Sequence, residues 1–200
     1  MIRLAVPDIQ EADIARVVGV LRSGNLVQAG EVAGFEQALA EFTGIEHGAA
    51  VSSGSAALHL ALLSLHIHPG DAVIIPAFTF PATANVVEAV GAEVDLCDVD
   101  PRTYVMTPEA LSACIQRHGK GNLKAVIVVH EFGYPARMAE ICALARKNNL
   151  RVIEDAACAL GSTSDGTHVG AFGDLGCFSF HPRKAVTTGE GVLSCREIGL

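Results

Sequence analysis

The sequence predicts an α/β fold: a mostly parallel seven-stranded sheet with helices on both faces. Three observations carry this. Segments such as "AVIIP" and "AVIVVH" are apolar without alternation, as strands covered on both faces are. They take turns with helical patterns, which implies right-handed crossovers and a parallel sheet. Of the 200 residues, 50% are hydrophobic and 18% charged, enough to build a substantial core and too few charges for disorder.

The first 45 residues read as helical and residues 46–200 as the α/β core of the same domain. "DIQEADIARVVGVLRSGN" opens with Asp8 and has Glu11 three residues on, the spacing of a capping box. Ile9, Ala12, Val17, Val20 and Leu21 can share one stripe, and Gly24 fits the stop. "GEVAGFEQALAEFTG" predicts a second helix ending near Gly44. "AAVSSG" reads as a strand, "SAALHLALLSLHI" as an apolar helix and "HPGD" as its close. Strand "AVIIP", helix "PATANVVEAVG" and strand "AEVDLCDVD" follow. "TPEALSACIQRHG" is a helix with Thr107 as cap and Pro108 in its first position. Next come strand "LKAVIVVH", helix "ARMAEICALARKNN", and strands "LRVIED", "DLGCFSF" and "GVLSC". There is no internal repeat, low-complexity segment or linker.

A net charge of −8 argues against nucleic acid as the main partner and supplies no basic face for anionic lipid. The N-terminus lacks a signal-peptide pattern and no apolar run is long enough for a bilayer, so the expectation is a cytoplasmic, soluble protein. The six cysteines, at 97, 114, 142, 158, 177 and 195, form no CxxC pair and sit among apolar residues. They read as reduced core thiols, and no metal site is expected.

In open α/β sheets, ligands bind beyond the carboxyl ends of the strands. Four places there stand out. "SSGSAAL" is a strand-to-helix turn of small residues. The N–H groups of Gly54, Ser55 and Ala56 would open a helix suited to a phosphate, although a plain capped helix has the same look. "PAFTFPATAN" carries Phe78 and Phe80, either of which could stack on a flat ring or join the core. "VIEDAACALGS" puts Glu154 and Asp155 at a strand end, facing either loop N–H groups or a ligand. Ser179 and His181 follow the strand "LGCFSF", and Lys184 comes soon after. A lysine beside apolar walls has a lowered pKa and attacks aldehydes, whereas a solvated loop lysine does not. A phosphate cradle, an aromatic plate, a carboxylate and an amine are together what pyridoxal 5′-phosphate (PLP) requires.

The chain resembles the nucleotide-sugar aminotransferases of the DegT/DnrJ/StrS type, which share the fold type I PLP architecture of aspartate aminotransferase. The matching pieces run in family order: "SGNLVQAGEVAGFEQALAEFTG", "VSSGSAALHLAL", "GDAVIIPAFTFPATANVV", "VHEFGYPARM", "VIEDAACALGS" and "GCFSFHPRKAVTTGEG". The resemblance implies that Lys184 is the Schiff-base lysine and also moves the proton between substrate and cofactor. It implies that Asp155 pairs with the pyridine nitrogen, that Phe80 stacks, and that Gly54, Ser55 and Ser179 hold the phosphate. His181 lines the same loop in a structural or catalytic role. The implied reaction passes an amino group, usually from L-glutamate, to a keto group on a nucleotide-linked sugar. The implied assembly is a homodimer.

Three departures from the family pattern are visible. Cys158 stands where many relatives carry Gln or His near the cofactor's phenolic oxygen, and a thiol is a weaker hydrogen-bond partner. Val192 stands where another glycine is usual, and valine resists positive φ. The family runs to roughly twice this length, so the C-terminal small domain is expected to be absent. Two other readings follow. One is a truncated remnant that binds PLP, or nothing, without turnover. The other is a PLP- or PMP-dependent sugar dehydratase, whose relatives replace the lysine by histidine; Lys184 argues against it.

Overall fold

The computed structural model describes residues 5–119 and 121–188, and the backbone of 192–195. Two helices lead: α1 (Glu11–Ser23) and α2 (Gly30–Thr43). Then follow β1 (His47–Ala50), α3 (Gly54–Ser64), β2 (Ala72–Pro76), α4 (Ala82–Ala89) and β3 (Glu93–Cys97). Next are α5 (Pro108–His118), β4 (Leu123–Val129), α6 (Met138–Lys147) and β5 (Arg151–Asp155). A small hairpin of β6 (Thr163–Ser164) and β7 (Thr167–His168) precedes β8 (Leu175–Phe178) and β9 (Val192–Cys195).

The main sheet has seven strands in the order β1-β9-β8-β5-β4-β2-β3. Five of them, β3, β2, β4, β5 and β8, run parallel, while β9 lies antiparallel to both β8 and β1. The expectation of a mostly parallel seven-stranded sheet therefore narrows to a five-stranded parallel block. From β2 the chain steps outward to β3, and from β4 it steps the other way to β5. The reversal between β2 and β4 is a topological switch point, and ligands of open α/β sheets bind at the carboxyl ends of the strands there.

Alternate side chains of the central strands feed two cores. Val73, Ile75, Ala125, Ile127 and Ile153 pack under α3 and α4. Ile74, Val126, Val128 and Val152 pack under α5 and α6. Every residue of β2 is buried, which explains its unbroken apolar sequence. A third cluster joins Leu39 of α2 to Ala156, Val169, Phe178 and Phe180, tying the leading helices to the loops around β8.

Several local expectations are corrected. The capping box of α1 is formed by Gln10 and Asp13, not Asp8 and Glu11. Gln10 is the residue with extended backbone at the helix entry, and its N–H donates to Asp13 at 2.9 Å. The expected stripe of α1 buries none of its residues. The strand expected at "AAVSSG" lies earlier, at His47–Ala50, and Ser53 caps α3 instead. Asp165 and Gly166, both at positive φ, turn the β6–β7 hairpin that the sequence reading passed over. Cys97, Cys114, Cys142 and Cys177 are buried as expected, but Cys158 is exposed. Glycines 189 and 191 and the side chains of Val192 and Cys195 lie outside the described residues.

Candidate active site

Most of the candidate residues follow the carboxyl ends of β2, β5 and β8. Asp155 closes β5 and is buried. Its Oδ1 accepts from the Ala157 N–H at 3.1 Å and its Oδ2 from the Thr83 hydroxyl at 3.3 Å. Thr83 is itself fully buried in α4 and reaches the Thr79 hydroxyl at 3.0 Å. Burial pushes the Asp155 carboxyl up, while the Ala157 N–H, the Thr83 hydroxyl and the Lys184 charge pull against it.

Lys184 is held by a turn after β8. Its N–H donates to His181 O at 2.8 Å, and the Arg183 N–H donates to the His181 ring at 3.2 Å. The His181 ring thus spends one nitrogen on the turn. Thr187 donates to Phe180 O at 2.7 Å and fastens the far side of the loop. Lys184 Nζ donates to Cys158 Sγ at 3.0 Å. Cys158, three residues past Asp155, thus meets the amine directly.

The start of α3 faces the same loop. Ser53 Oγ accepts from the Ala56 N–H at 3.1 Å, so the cap uses one of the three N–H groups expected for a phosphate. Those of Gly54 and Ser55 have no acceptor among the described residues. A Cβ added at Gly54 would stand 3.2 Å from Ser179 Cβ and 3.6 Å from Phe178 O. Glycine is what lets the helix start and the end of β8 approach this closely. The sequence could not decide whether Phe78 and Phe80 were core; both are exposed. Phe80 is 74% exposed beyond β2, whereas Phe78 packs with Tyr104 and Phe132 at centroid distances of 5.2 and 6.1 Å.

Of the two readings left open, the loop N–H one holds for Glu154, while Asp155 accepts a single loop N–H, that of Ala157. Glu154 takes the loop N–H groups. Its Oε1 accepts from Phe172 and Gly173, both at 2.7 Å, and its Oε2 from Gly170 at 2.8 Å. Oε2 also meets His130 Nε2 at 3.0 Å, with both side chains fully buried. Because His130 Nδ1 accepts the Ala136 N–H at 3.2 Å, Nε2 carries the proton toward Glu154.

Sequence reading missed three contributors. Thr83 lay unremarked in a segment chosen for its aromatics. His130 looked like the end of a strand. Glu131 follows it in a short 3₁₀ turn, Glu131–Gly133, with Phe132 at φ 54°. Burial and the Asp155 charge push the Glu131 carboxyl up, and the Lys184 charge pulls it down. Glu131 therefore shares the electrostatics of the pair. No local spacing signals any of the three.

Two surface grooves beside α2, one containing Glu36 and His47 and the other Phe42 and His168, include none of the candidate residues. Among the described residues no helix is long and apolar enough to cross a membrane.

The sequence profile described as the DegT/DnrJ/EryC1/StrS aminotransferase family matches residues 7–194. The chain belongs to this family. A UDP-N-acetyl-3-dehydro-alpha-D-glucosamine 3-aminotransferase of Acidithiobacillus ferrooxidans is 45% identical over 86% of the chain and 46% of its own length. A GDP-perosamine synthase of Caulobacter vibrioides is 45% identical over 78% of the chain and 41% of its own length. A Streptococcus pneumoniae protein assigned as a sugar aminotransferase, solved in a PLP form, superposes with a TM-score of 0.92. That structure is 31% identical, across 99% of this chain and 54% of the other. The DegT/DnrJ/EryC1/StrS chain thus spans about half the length of the curated relatives it matches.

Proposed function

We propose that these residues form the cofactor-binding core of a PLP-dependent transaminase acting on a nucleotide-linked keto sugar, with L-glutamate as amino donor. The observation that carries this is the Lys184 amine, held 3.0 Å from the Cys158 sulfur, three residues past the buried Asp155 that ends β5. The names of the relatives support the substrate class, since both curated proteins are named for amino sugars carried on a nucleotide.

The residues fit the group. Among the described residues Asp155 is hydrogen-bonded by neutral donors alone, and burial resists its charge. A protonated pyridine nitrogen is the partner that would relieve this. The free N–H groups of Gly54 and Ser55, with the Ser179 hydroxyl beside them, suit a phosphate. Phe80 offers an exposed ring. Bound there, the cofactor would supply an aldehyde and an electron-accepting ring.

This chain's own groups would do the rest. Thr83 orients the Asp155 carboxylate. Lys184 Nζ holds and returns the proton at the substrate carbon that bears the amino group. Cys158 Sγ fixes where that amine rests, and the His181 turn sets its backbone. The assembly would be a homodimer.

The test uses the full-length protein. Addition of PLP should give an absorption band at the edge of the visible range, and Lys184→Ala should abolish it. Incubation with glutamate and a panel of nucleotide keto sugars, followed by mass spectrometry, should show one sugar exchanging its carbonyl oxygen for an amino group. A band that persists in Lys184→Ala would end the assignment of the lysine.

A further inference from the structure

Cys158 is the one exposed thiol among the five described cysteines. Burial pushes Cys97 up to about 12 and also raises Cys114, which keeps both as inert thiols. The Sγ of Cys158 lies 3.0 Å from Lys184 Nζ, and Lys184 is half-buried where it holds this contact. Reacting atoms held at about 3–3.5 Å are already at attack distance, and loss of one proton from the amine frees its lone pair to turn toward sulfur. An amine is thus the nucleophile poised on this sulfur.

We propose that Cys158 is an oxidative modification site, and that a hydroperoxide closes a covalent S–N bridge between Cys158 and Lys184. The bridge removes the amine the cofactor needs, so its gating role rests on the reading of Lys184 given above. Peroxide transfers one oxygen to the thiol, leaving a sulfenic acid and water. The unprotonated amine then attacks sulfur. The S–N bond forms, the S–O bond breaks, and the hydroxide leaves with a proton of the amine as a second water. The sulfur has given two electrons to the peroxide, and the joined pair is two hydrogens lighter than the reduced pair. Two equivalents of a small thiol reverse the bridge. They return the Cys158 thiol and the Lys184 amine and depart as their own disulfide. The cofactor aldehyde and the sulfenic acid compete for one amine, so a loaded site is protected and an empty one is open to closure.

The cofactor-free full-length protein is treated with hydrogen peroxide, digested and read by mass spectrometry. The expected product is a cross-linked pair of peptides containing residues 158 and 184, two hydrogens lighter than their reduced sum. Dithiothreitol should remove it, and neither Cys158→Ser nor Lys184→Arg should yield it. Prior loading with PLP should abolish it. Oxygen added at Cys158 with no cross-link to Lys184 overturns the bridge, and equal yields in loaded and cofactor-free protein overturn the gate. The two failures separate. A missing cross-link beside an intact Lys184-dependent absorption band sinks the bridge alone. A cross-link in a protein that shows no such band sinks the transaminase reading alone.

Discussion

Asp155 receives hydrogen bonds from the Ala157 N–H and the Thr83 hydroxyl, and burial holds its carboxyl above the usual carboxylate range. A folded-state value above the unfolded one means that the group contributes stability fully at pH below the ordinary 3.8. That contribution is lost as pH rises through the folded value. Asp155→Asn keeps an acceptor for the Ala157 N–H, reverses the Thr83 contact so that the hydroxyl accepts from the amide, and removes the charge. The cofactor-free variant should therefore melt higher than the parent at pH 7, by roughly 2–4 °C for each kcal/mol relieved. The difference should fade in melts recorded toward pH 3.8 and below. The same variant should fail to transaminate, because an amide cannot stabilise a pyridinium charge. Thr83→Val tests the neighbouring contact. Losing a hydroxyl that donates to a carboxylate costs about 1.5–3 kcal/mol when the carboxylate is charged. Titration of the PLP band should show weaker binding in Thr83→Val, with the position of the band unchanged.

At the scale of elements, the joint between β5 and β8 depends on Glu154. One carboxylate satisfies the N–H groups of Gly170, Phe172 and Gly173 and receives His130 besides. Glu154→Ala leaves all four without their acceptor in a dry interior. The expected loss is at least about 3 kcal/mol, read as a lower urea midpoint. Gly170 makes the same joint sterically possible. It sits at φ 90°, and a Cβ there would meet the Phe178 ring at 2.5 Å. Gly170→Ala should destabilise through both strain and overlap. The sequence made the strands of this region legible because burial on both faces leaves an unbroken apolar run, as in β2 and β4. It made the cap of α5 legible because Thr107 precedes Pro108, and Thr107 Oγ1 does accept the Ala110 N–H at 3.2 Å. That Glu154, and not Asp155, gathers three loop N–H groups was not legible. Adjacent residues on a strand point to opposite faces, and only the packed loops decide which face holds N–H donors. The pairing of Cys158 with Lys184 was hidden for a related reason. It joins residues 26 apart in sequence through the return of β8 beside β5.

Over the whole molecule, the central sheet and the leading helix stand at opposite extremes. β2 is buried throughout, while α1 leaves Ile14, Val17 and Leu21 46%, 60% and 60% exposed. Its described tie to α2 is the surface pair of Arg16 and Glu31, and exposed pairs contribute about 0–1 kcal/mol. Replacing Val17 and Leu21 by lysine should change the thermal unfolding of the described unit by no more than about 0.5 kcal/mol. A larger loss would show that this face is covered in solution, and sedimentation of the variant would then reveal a change of assembly. The carboxylate of Glu154 has a corresponding effect at the other extreme. Loop amides normally trade their hydrogens with solvent quickly, but those of Gly170, Phe172 and Gly173 are anchored inside the sheet's own interior. In deuterated water these three should keep their protons about as long as the strands do, marking a stretch of irregular chain that opens only when the whole domain does.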